Sequence, residues 1–534
     1  SPPGEGESTG LVTRFTMRRD PCPQGFPIRL RLLSEADIVR VLANTFLKDG
    51  DQSEEPPTPE EINTLLSTFA KKKGDGPGMS VDEVWDIREY FEKNFSKAAY
   101  VAGLKTFWEE AAEIAPALQL NDRAQFLSVL WGKHQLFTEV YVMLAGALAK
   151  IGHATEVHAA PEALFPREKS IIDVKMLAGL DGEGEHEEVS LRTASGITAK
   201  LTKPIITALT AELIVPMAQQ PWDMFAQTDL LDFPGARARF TAPIEMTFRS
   251  AETPRKDTFL RGKVAYLFDR YVAEQELTSM MLCIPPSNME VTDLPGLVDD
   301  WVSATHGTTP EERAKTDCIL FFVFTKFDMH LPDNAATGSD PVTRYDRRIA
   351  ASMTDPFGKL ADSWVNNWAG GRPFDNSFWL RNPNYPAEAF FKYDTEMREL
   401  GFQPEKEGRI EELKQGCLSV PGVQRHFAEP ERAWDAAMAL NDGGVSYLVE
   451  KLTTVCKPDI KARQVRVQLG IVARQIMHQL APFYVSDDIE KRLEEKRAAA
   501  GEVVQAVNHA FSLTKFGELL ESLTVDPDRI ADRI

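Results

Sequence analysis

Three short segments carry residue types at spacings that could hold and read a nucleotide. The first is Phe322-Val323-Phe324-Thr325-Lys326-Phe327-Asp328, where an apolar run delivers Thr-Lys-x-Asp to its end. In open parallel sheets, ligands sit beyond the C-terminal ends of the strands. An aspartate there accepts two charge-assisted hydrogen bonds, from the ring N–H and the exocyclic amine of a guanine. Adenine presents the opposite polarity and would leave that carboxylate unpaired, so it is rejected. The stem of Lys326 would lie along the base face. The second segment is Leu230-Leu231-Asp232-Phe233-Pro234-Gly235. Asp232 at a strand end can hold the water shell of Mg2+, and Gly235 lets its backbone N–H approach a terminal phosphate. The third is Gly10-Leu11-Val12-Thr13-Arg14-Phe15, read as part of an opening loop. There Thr13 can give its hydroxyl oxygen to Mg2+ and its N–H to the phosphate, in a loop that orders only with that phosphate.

Each segment also has a plainer reading: a solvated turn, a Pro-Gly turn and a polar loop. A second Asp-x-Pro-Gly, at Asp293-Leu294-Pro295-Gly296, follows a loop and not an apolar strand, so it reads as a decoy turn.

The elements that must position these residues follow from hydropathy periods. Residues 26–33 alternate apolar and charged side chains, as a half-buried strand does. From 35 to 152 the pattern is helical. Residues 170–177 and 187–201 predict strands, and 257–275 a helix. Continuous apolar runs at 280–284 and 318–324 and a short one at 378–380 predict buried strands of a parallel sheet. Residues 341–369 read as a helix, and everything after 405 as helix. The expected organisation is a GTPase-like α/β part at 1–34 and 166–404, a helical insertion at 35–165 and a helical bundle or stalk at 405–534.

The 534 residues carry 60 basic and 80 acidic side chains, a net −20 that argues against broad adhesion to nucleic acid. The five cysteines lie far apart and read as reduced thiols. The nine histidines show no metal spacing. No apolar run approaches the length of a membrane span. Trp364, Trp368 and Trp379 are expected in the core. Lys457, Lys461, Arg463, Arg466 and Arg474 share a predicted helix with Leu469, Val472, Ile476 and Leu480. Such a helix suits an anionic lipid surface or an acidic partner, or simply half of a bundle.

In their chain order, the three segments look like a GTPase. Gly10-Leu11-Val12-Thr13-Arg14 resembles the switch I segment of dynamin-like GTPases, Asp232 to Gly235 their switch II motif, and Thr325 to Asp328 their guanine-specificity motif. Leu380-Arg381-Asn382, after a short strand, is similar to their last base-contacting loop. The stretch from Gly4 to Thr16 resembles the SrfC-type bacterial virulence factor family, a likeness that extends over most of the chain. The resemblance implies a P-loop GTPase-like, mostly parallel sheet with helices on both faces, a large helical insertion and a C-terminal helical domain. It implies GTP or GDP with Mg2+ as cofactors, and a role in a bacterium's interaction with a host. The nucleotide site would comprise Thr13, Asp232, Gly235, Thr325, Lys326, Asp328, Arg381 and Asn382, with Thr13 and Asp232 on the metal.

A phosphate-binding loop, Gly-x-x-x-x-Gly-Lys-Ser/Thr, does not occur in the sequence. Gly132-Lys133-His134 lacks the hydroxyl, and Gly443-Gly444-Val445-Ser446 lacks the lysine. The family order puts this loop ahead of switch I, so it is expected upstream of Ser1; loss of the loop is the alternative. About five phosphate contacts of about 1.5–3 kcal/mol each amount to on the order of 7 kcal/mol, roughly 10⁵-fold in affinity. A polypeptide starting at Ser1 is therefore expected to bind GTP negligibly and to expose an apolar seam where the first strand and helix belong. Two functions are carried forward. One is a GTP-hydrolysing dynamin-like switch or mechanoenzyme, with no water-orienting residue assigned. The other is a non-enzymatic scaffold or effector component that keeps a degenerate GTPase fold. Self-assembly or protein partners, membrane contact through 457–480, and a bacterial cytoplasmic, membrane-associated or exported location are expected.

Overall fold

The apolar run Leu320-Phe321-Phe322-Val323-Phe324 is buried at every position and forms the middle strand of a parallel three-stranded sheet. The computed structural model describes residues 9–49, 55–72, 78–182, 186–235, 251–286, 294–333, 338–483, 489–512 and 515–523. The chain divides into two units, Ser1–Ala462 and Arg463–Ile534.

In the first unit, seven strands form one sheet. They are β1 (Val12–Thr16), β2 (Ile28–Leu32), β3 (Glu156–Ala159), β4 (Glu188–Thr193), β5 (Thr198–Thr202), β6 (Thr210–Pro216) and β7 (Leu230–Asp232). Their order is β5-β4-β3-β2-β6-β1-β7. A separate sheet has the order β10-β9-β8, with β8 at Met280–Ile284, β9 at Leu320–Phe324 and β10 at Ser377–Trp379. A hairpin of β11 (Phe391–Tyr393) and β12 (Glu399–Phe402) follows.

The fold is thus mixed α/β, but the expectation of a mostly parallel sheet needs correction. In the seven-stranded sheet only β1–β6 is parallel, and every other neighbouring pair is antiparallel. Part of the cause is the short connection from β4 to β5, since a tight turn can join only antiparallel neighbours, whereas a parallel pair needs a crossover of a dozen or more residues. The three-stranded sheet is parallel throughout.

Three local readings also change. Residues 12–16 form a strand instead of a loop. Residues 170–177, expected as a strand, instead lead into the 3₁₀ turns of Val174–Leu180. The helix expected over 341–369 is regular only at Pro341–Ile349, and Gly358 follows the last helical turn, Asp355–Phe357.

The first core lies against the seven-stranded sheet. The Glu35–Asn44 helix starts where the Ser34 hydroxyl accepts from the Asp37 N–H and the Asp37 carboxylate accepts from the Ser34 N–H, closing a capping box. It packs on the Pro254–Ala273 helix so closely that a Cβ at Gly262 would lie 1.9 Å from the Val41 carbonyl oxygen. Arg123 ties the helical region at 81–150 to this core, donating to Glu35 at 2.6 Å, with both side chains buried. The second core surrounds β9 and holds Trp364, Trp368 and Trp379. Helices between Glu407 and Val455 close it. Phe427 stacks on Trp379 at 4.8 Å, and Trp434 meets Phe327 edge-on. In the second unit, the helix Ile489–Ser512 exposes Leu493, Val503, Val504 and Phe511.

Candidate functional site

β1 and β7 pair antiparallel with Thr13 directly opposite Asp232. Opposed residues of such a pair project to the same face, so a hydroxyl and a carboxylate share one spot at the end of β7. Thr13 is buried, whereas Asp232 opens into a cavity. Burial raises the Asp232 carboxyl above its ordinary value.

Arg14 fixes the register that creates this pairing. Its guanidinium forks onto both Glu212 oxygens on β6, each at 2.9 Å, and reaches Asp229 at 3.1 Å and Glu276. Burial would lower the guanidinium, but these carboxylates outweigh it and hold it raised. The residue after the expected metal-binding threonine is therefore a structural clamp joining β1, β6 and the approach to β7.

The cavity has a volume of about 1100 Å³. Asp232 and Gly235 line it beside Met281 and Cys283 of β8 and Arg261 of the Pro254–Ala273 helix. Cys283 opens to this cavity, where desolvation by the surrounding wall and then the Asp232 carboxylate push its thiol up to about 11. The end of β7 and the end of β8 thus meet at one rim. The sequence reading missed Cys283, because it sits in an otherwise apolar strand.

The Thr325–Asp328 segment follows β9, one strand beyond β8. The Thr325 N–H donates to the Ile284 carbonyl at 2.9 Å, and the Phe327 N–H to the Leu380 carbonyl at 3.1 Å. Lys326 is exposed and left-handed, at φ 55°. Asp328 is the second residue of the short 3₁₀ turn Phe327–His330 and is buried. Burial raises its carboxyl, opposed by its own backbone N–H, Arg381, the Asn382 backbone and Lys326. Asp328, Arg381 and Asn382 are therefore neighbours at the ends of β9 and β10. None of them lines the cavity that holds Asp232.

Arg381 is engaged elsewhere. It is buried, pairs with both oxygens of buried Glu399 and lies over the Phe391 ring at 4.2 Å. It also donates to the carbonyls of Ala437 and Ala439, each at 3.1 Å. The expectation that Arg381 contacts a base meets a side chain already fully partnered inside the protein. Asn382 is exposed, with its side-chain oxygen accepting from the Asn384 N–H. The loop before the Val445–Val455 helix props up this rim. The Arg381 N–H donates to the Gly443 carbonyl at 2.9 Å, and a Cβ on Gly443 would lie 2.5 Å from the Arg381 oxygen.

Arg348, unremarkable in the sequence, gathers the same strand ends. It donates to the Ile284 carbonyl of β8 at 2.7 Å and to Ser352 at 2.6 Å. Burial pulls it down to about 10.

A family model described as "Putative bacterial virulence factor" matches residues 1–534. The chain belongs to this family. A search of curated proteins finds no match to this family member.

Of the remaining expectations, Asp293 lies outside the described residues, and Leu294-Pro295-Gly296 opens the Leu294–His306 helix. Gly132 and Lys133 are both left-handed in a turn ahead of the Gln135–Lys150 helix. Among the described residues, no group of three or more His, Cys, Asp or Glu side chains could hold a metal. No described helix is long and apolar enough to cross a membrane. Lys457, Lys461, Arg466 and Arg474 are exposed, as are Leu469, Val472, Ile476 and Leu480; Arg463 lies among side chains outside the description.

Proposed function

We propose that this virulence-family protein binds and hydrolyses GTP as a dynamin-like switch, with its phosphate-binding loop supplied by polypeptide upstream of Ser1. The observation that carries the reading is the Thr13–Asp232 pairing beside the end of β8. A hydroxyl and a carboxylate on one face suit two of the oxygen positions of Mg2+, which ordinarily keeps waters and substrate phosphates as its other ligands. The metal would neutralise phosphate charge when bound. Burial raises the Asp232 carboxyl, which a bound cation would offset. The Gly235 backbone would meet the terminal phosphate. Asp328 would select guanine with Thr325 and Lys326, and Asn382 would border the base; Arg381 would hold this rim in shape from behind.

In the protein expressed from its whole reading frame, Asp328→Asn is expected to weaken GTP binding at least tenfold in a fluorescent-nucleotide titration. Unchanged guanosine-nucleotide affinity would sink the assignment.

A second reading, a scaffold or effector component without turnover, is favoured by the exposed apolar side chains of the Ile489–Ser512 helix. Those groups suit self-assembly or a protein partner, and the basic, apolar Pro458–Leu480 helix suits an anionic membrane surface. Magnesium-dependent GTP turnover by the whole protein separates the two readings: turnover supports the switch, and its absence supports the scaffold.

A further inference from the structure

The loop that follows β9 holds a conformation its residues would not adopt alone. Lys326 sits in the left-handed region at φ 55°, where a residue with a side chain is uncommon. Such a geometry persists only where the surroundings over-determine it. The helix Pro341–Ile349 supplies that support. Its Arg344 and Arg348, four residues apart, share one face, and both are buried. Arg344 donates to the carbonyls of His330 at 2.7 Å and Leu331 at 3.2 Å, where the 3₁₀ turn ends. Arg348 donates to the Thr325 carbonyl at 3.5 Å and to those of Ile284 and Pro285 at the end of β8. Between them, Tyr345 stacks on Phe327 with ring centres 6.1 Å apart. One helix face thus grips the loop at its entry, its middle and its exit. Arg344 also reaches Asp333, and Arg348 reaches Ser352, so each guanidinium is fixed from a second side. Burying two guanidinium groups is costly, and apolar side chains would fill the same space at less expense. What the arginines add is direction, because each planar fork fixes the carbonyls it holds.

We propose that Arg344 and Arg348 are positioning residues for base recognition, holding Thr325–Asp328 in the shape in which the Asp328 carboxylate meets both donors of a guanine. This inference rests on the nucleotide reading above and adds the source of its selectivity. Neither arginine touches the base; each acts through the loop backbone. A carboxylate that must match a ring N–H and an exocyclic amine together depends on its angle. A loop free to tilt keeps one hydrogen bond and loses the other. Pre-organising the loop removes that freedom before the ligand arrives. Selectivity for guanine over hypoxanthine, which lacks the exocyclic amine, therefore depends on the two arginines.

The test uses the protein expressed from its whole reading frame, with Arg344→Lys and Arg348→Lys made separately. Lysine keeps the charge and loses the fork. Competition against a fluorescent nucleotide gives the affinities for GTP and inosine triphosphate. The native protein should prefer GTP about 10- to 100-fold, the value of one charge-assisted hydrogen bond. Each variant should cut that preference about tenfold. A partly unfolded sample loses both nucleotides alike, so the ratio reports positioning and not folding. Variants with the native ratio would overturn the proposal. Hydrogen exchange gives the second measurement. The amides of Thr325 and Phe327, bonded to Ile284 and Leu380, should exchange about tenfold faster in Arg348→Lys, while the Phe322 amide, bonded to Asn376, keeps its native rate. Equal acceleration at Phe322 would mean general loosening and would also overturn it. A native protein that binds neither nucleotide removes the GTP reading and this role with it. A native protein that prefers GTP, beside variants that prefer it equally, removes only the role of the arginines.

Discussion

Thr13 on β1 sits directly across from Asp232 on β7, and Arg14 beside it locks that register through Glu212, Asp229 and Glu276. Because burial raises the Asp232 carboxyl, its charge costs the folded state stability instead of adding to it. Asp232→Asn should therefore leave the melting temperature unchanged or slightly higher. In the whole protein it should lower magnesium-dependent GTP affinity about 10- to 100-fold, the value of one charge-assisted contact. Thermal melts and nucleotide titrations on the same sample check both halves.

Arg381 and Glu399 form a buried, fork-to-fork pair. Removing one partner strands the other without compensation, so Glu399→Gln or Arg381→Met should each destabilise by about 3–5 kcal/mol. The double replacement by Met and Leu should recover most of that loss. Urea denaturation of all four proteins tests the pair. A single replacement that changes nucleotide affinity with no loss of stability would return Arg381 to the base site.

Gly262 lets two helices meet backbone to backbone over Val41. Gly262→Ala adds one methyl group at 1.9 Å from a carbonyl oxygen, where neither helix can yield cheaply. The expected cost is about 1–3 kcal/mol or more, despite the better helix propensity of alanine. A lowered urea midpoint reads it out, and an unchanged midpoint would mean that the helices slide freely.

Lys263, next along the same helix, is fully buried, with its Nζ donating to the Thr207 carbonyl at 2.8 Å. Burial pulls the ammonium from the ordinary 10.5 down to about 7. Between those values the unfolded chain holds the proton and the folded chain has released it. Stability should therefore rise with pH across that window, by at most about 1.4 kcal/mol per pH unit, and be flat in this respect below about 7. Lys263→Met should remove the slope, which denaturation at three pH values would show.

β9 was legible because burial at every position writes itself as an uninterrupted apolar run, and β8 carries such a run although Cys283 on it is exposed. β2 was legible because one buried face alternates with one wet face. β1 was not, since its middle residue is an arginine whose partners lie 198, 215 and 262 positions away. No local pattern announces a charge neutralised from that distance. Arg381 misled for a related reason. The triplet Leu380-Arg381-Asn382 invites a ligand, while the carboxylate that occupies the arginine stands 18 residues further on, in a hairpin too short to predict. The juxtaposition of Asp328 with Asn382 was legible, because both follow neighbouring parallel strands.

The glycine turn at Gly443–Gly444 has a practical consequence for anyone trimming the chain to its sheets. The floor beneath the β10 rim is built from helices that a domain map drawn at residue 404 would discard. Cutting there would leave Arg381 without its carbonyl acceptors at Ala437 and Ala439, and Trp379 without the ring of Phe427. A piece that keeps these contacts has to run past Gly443.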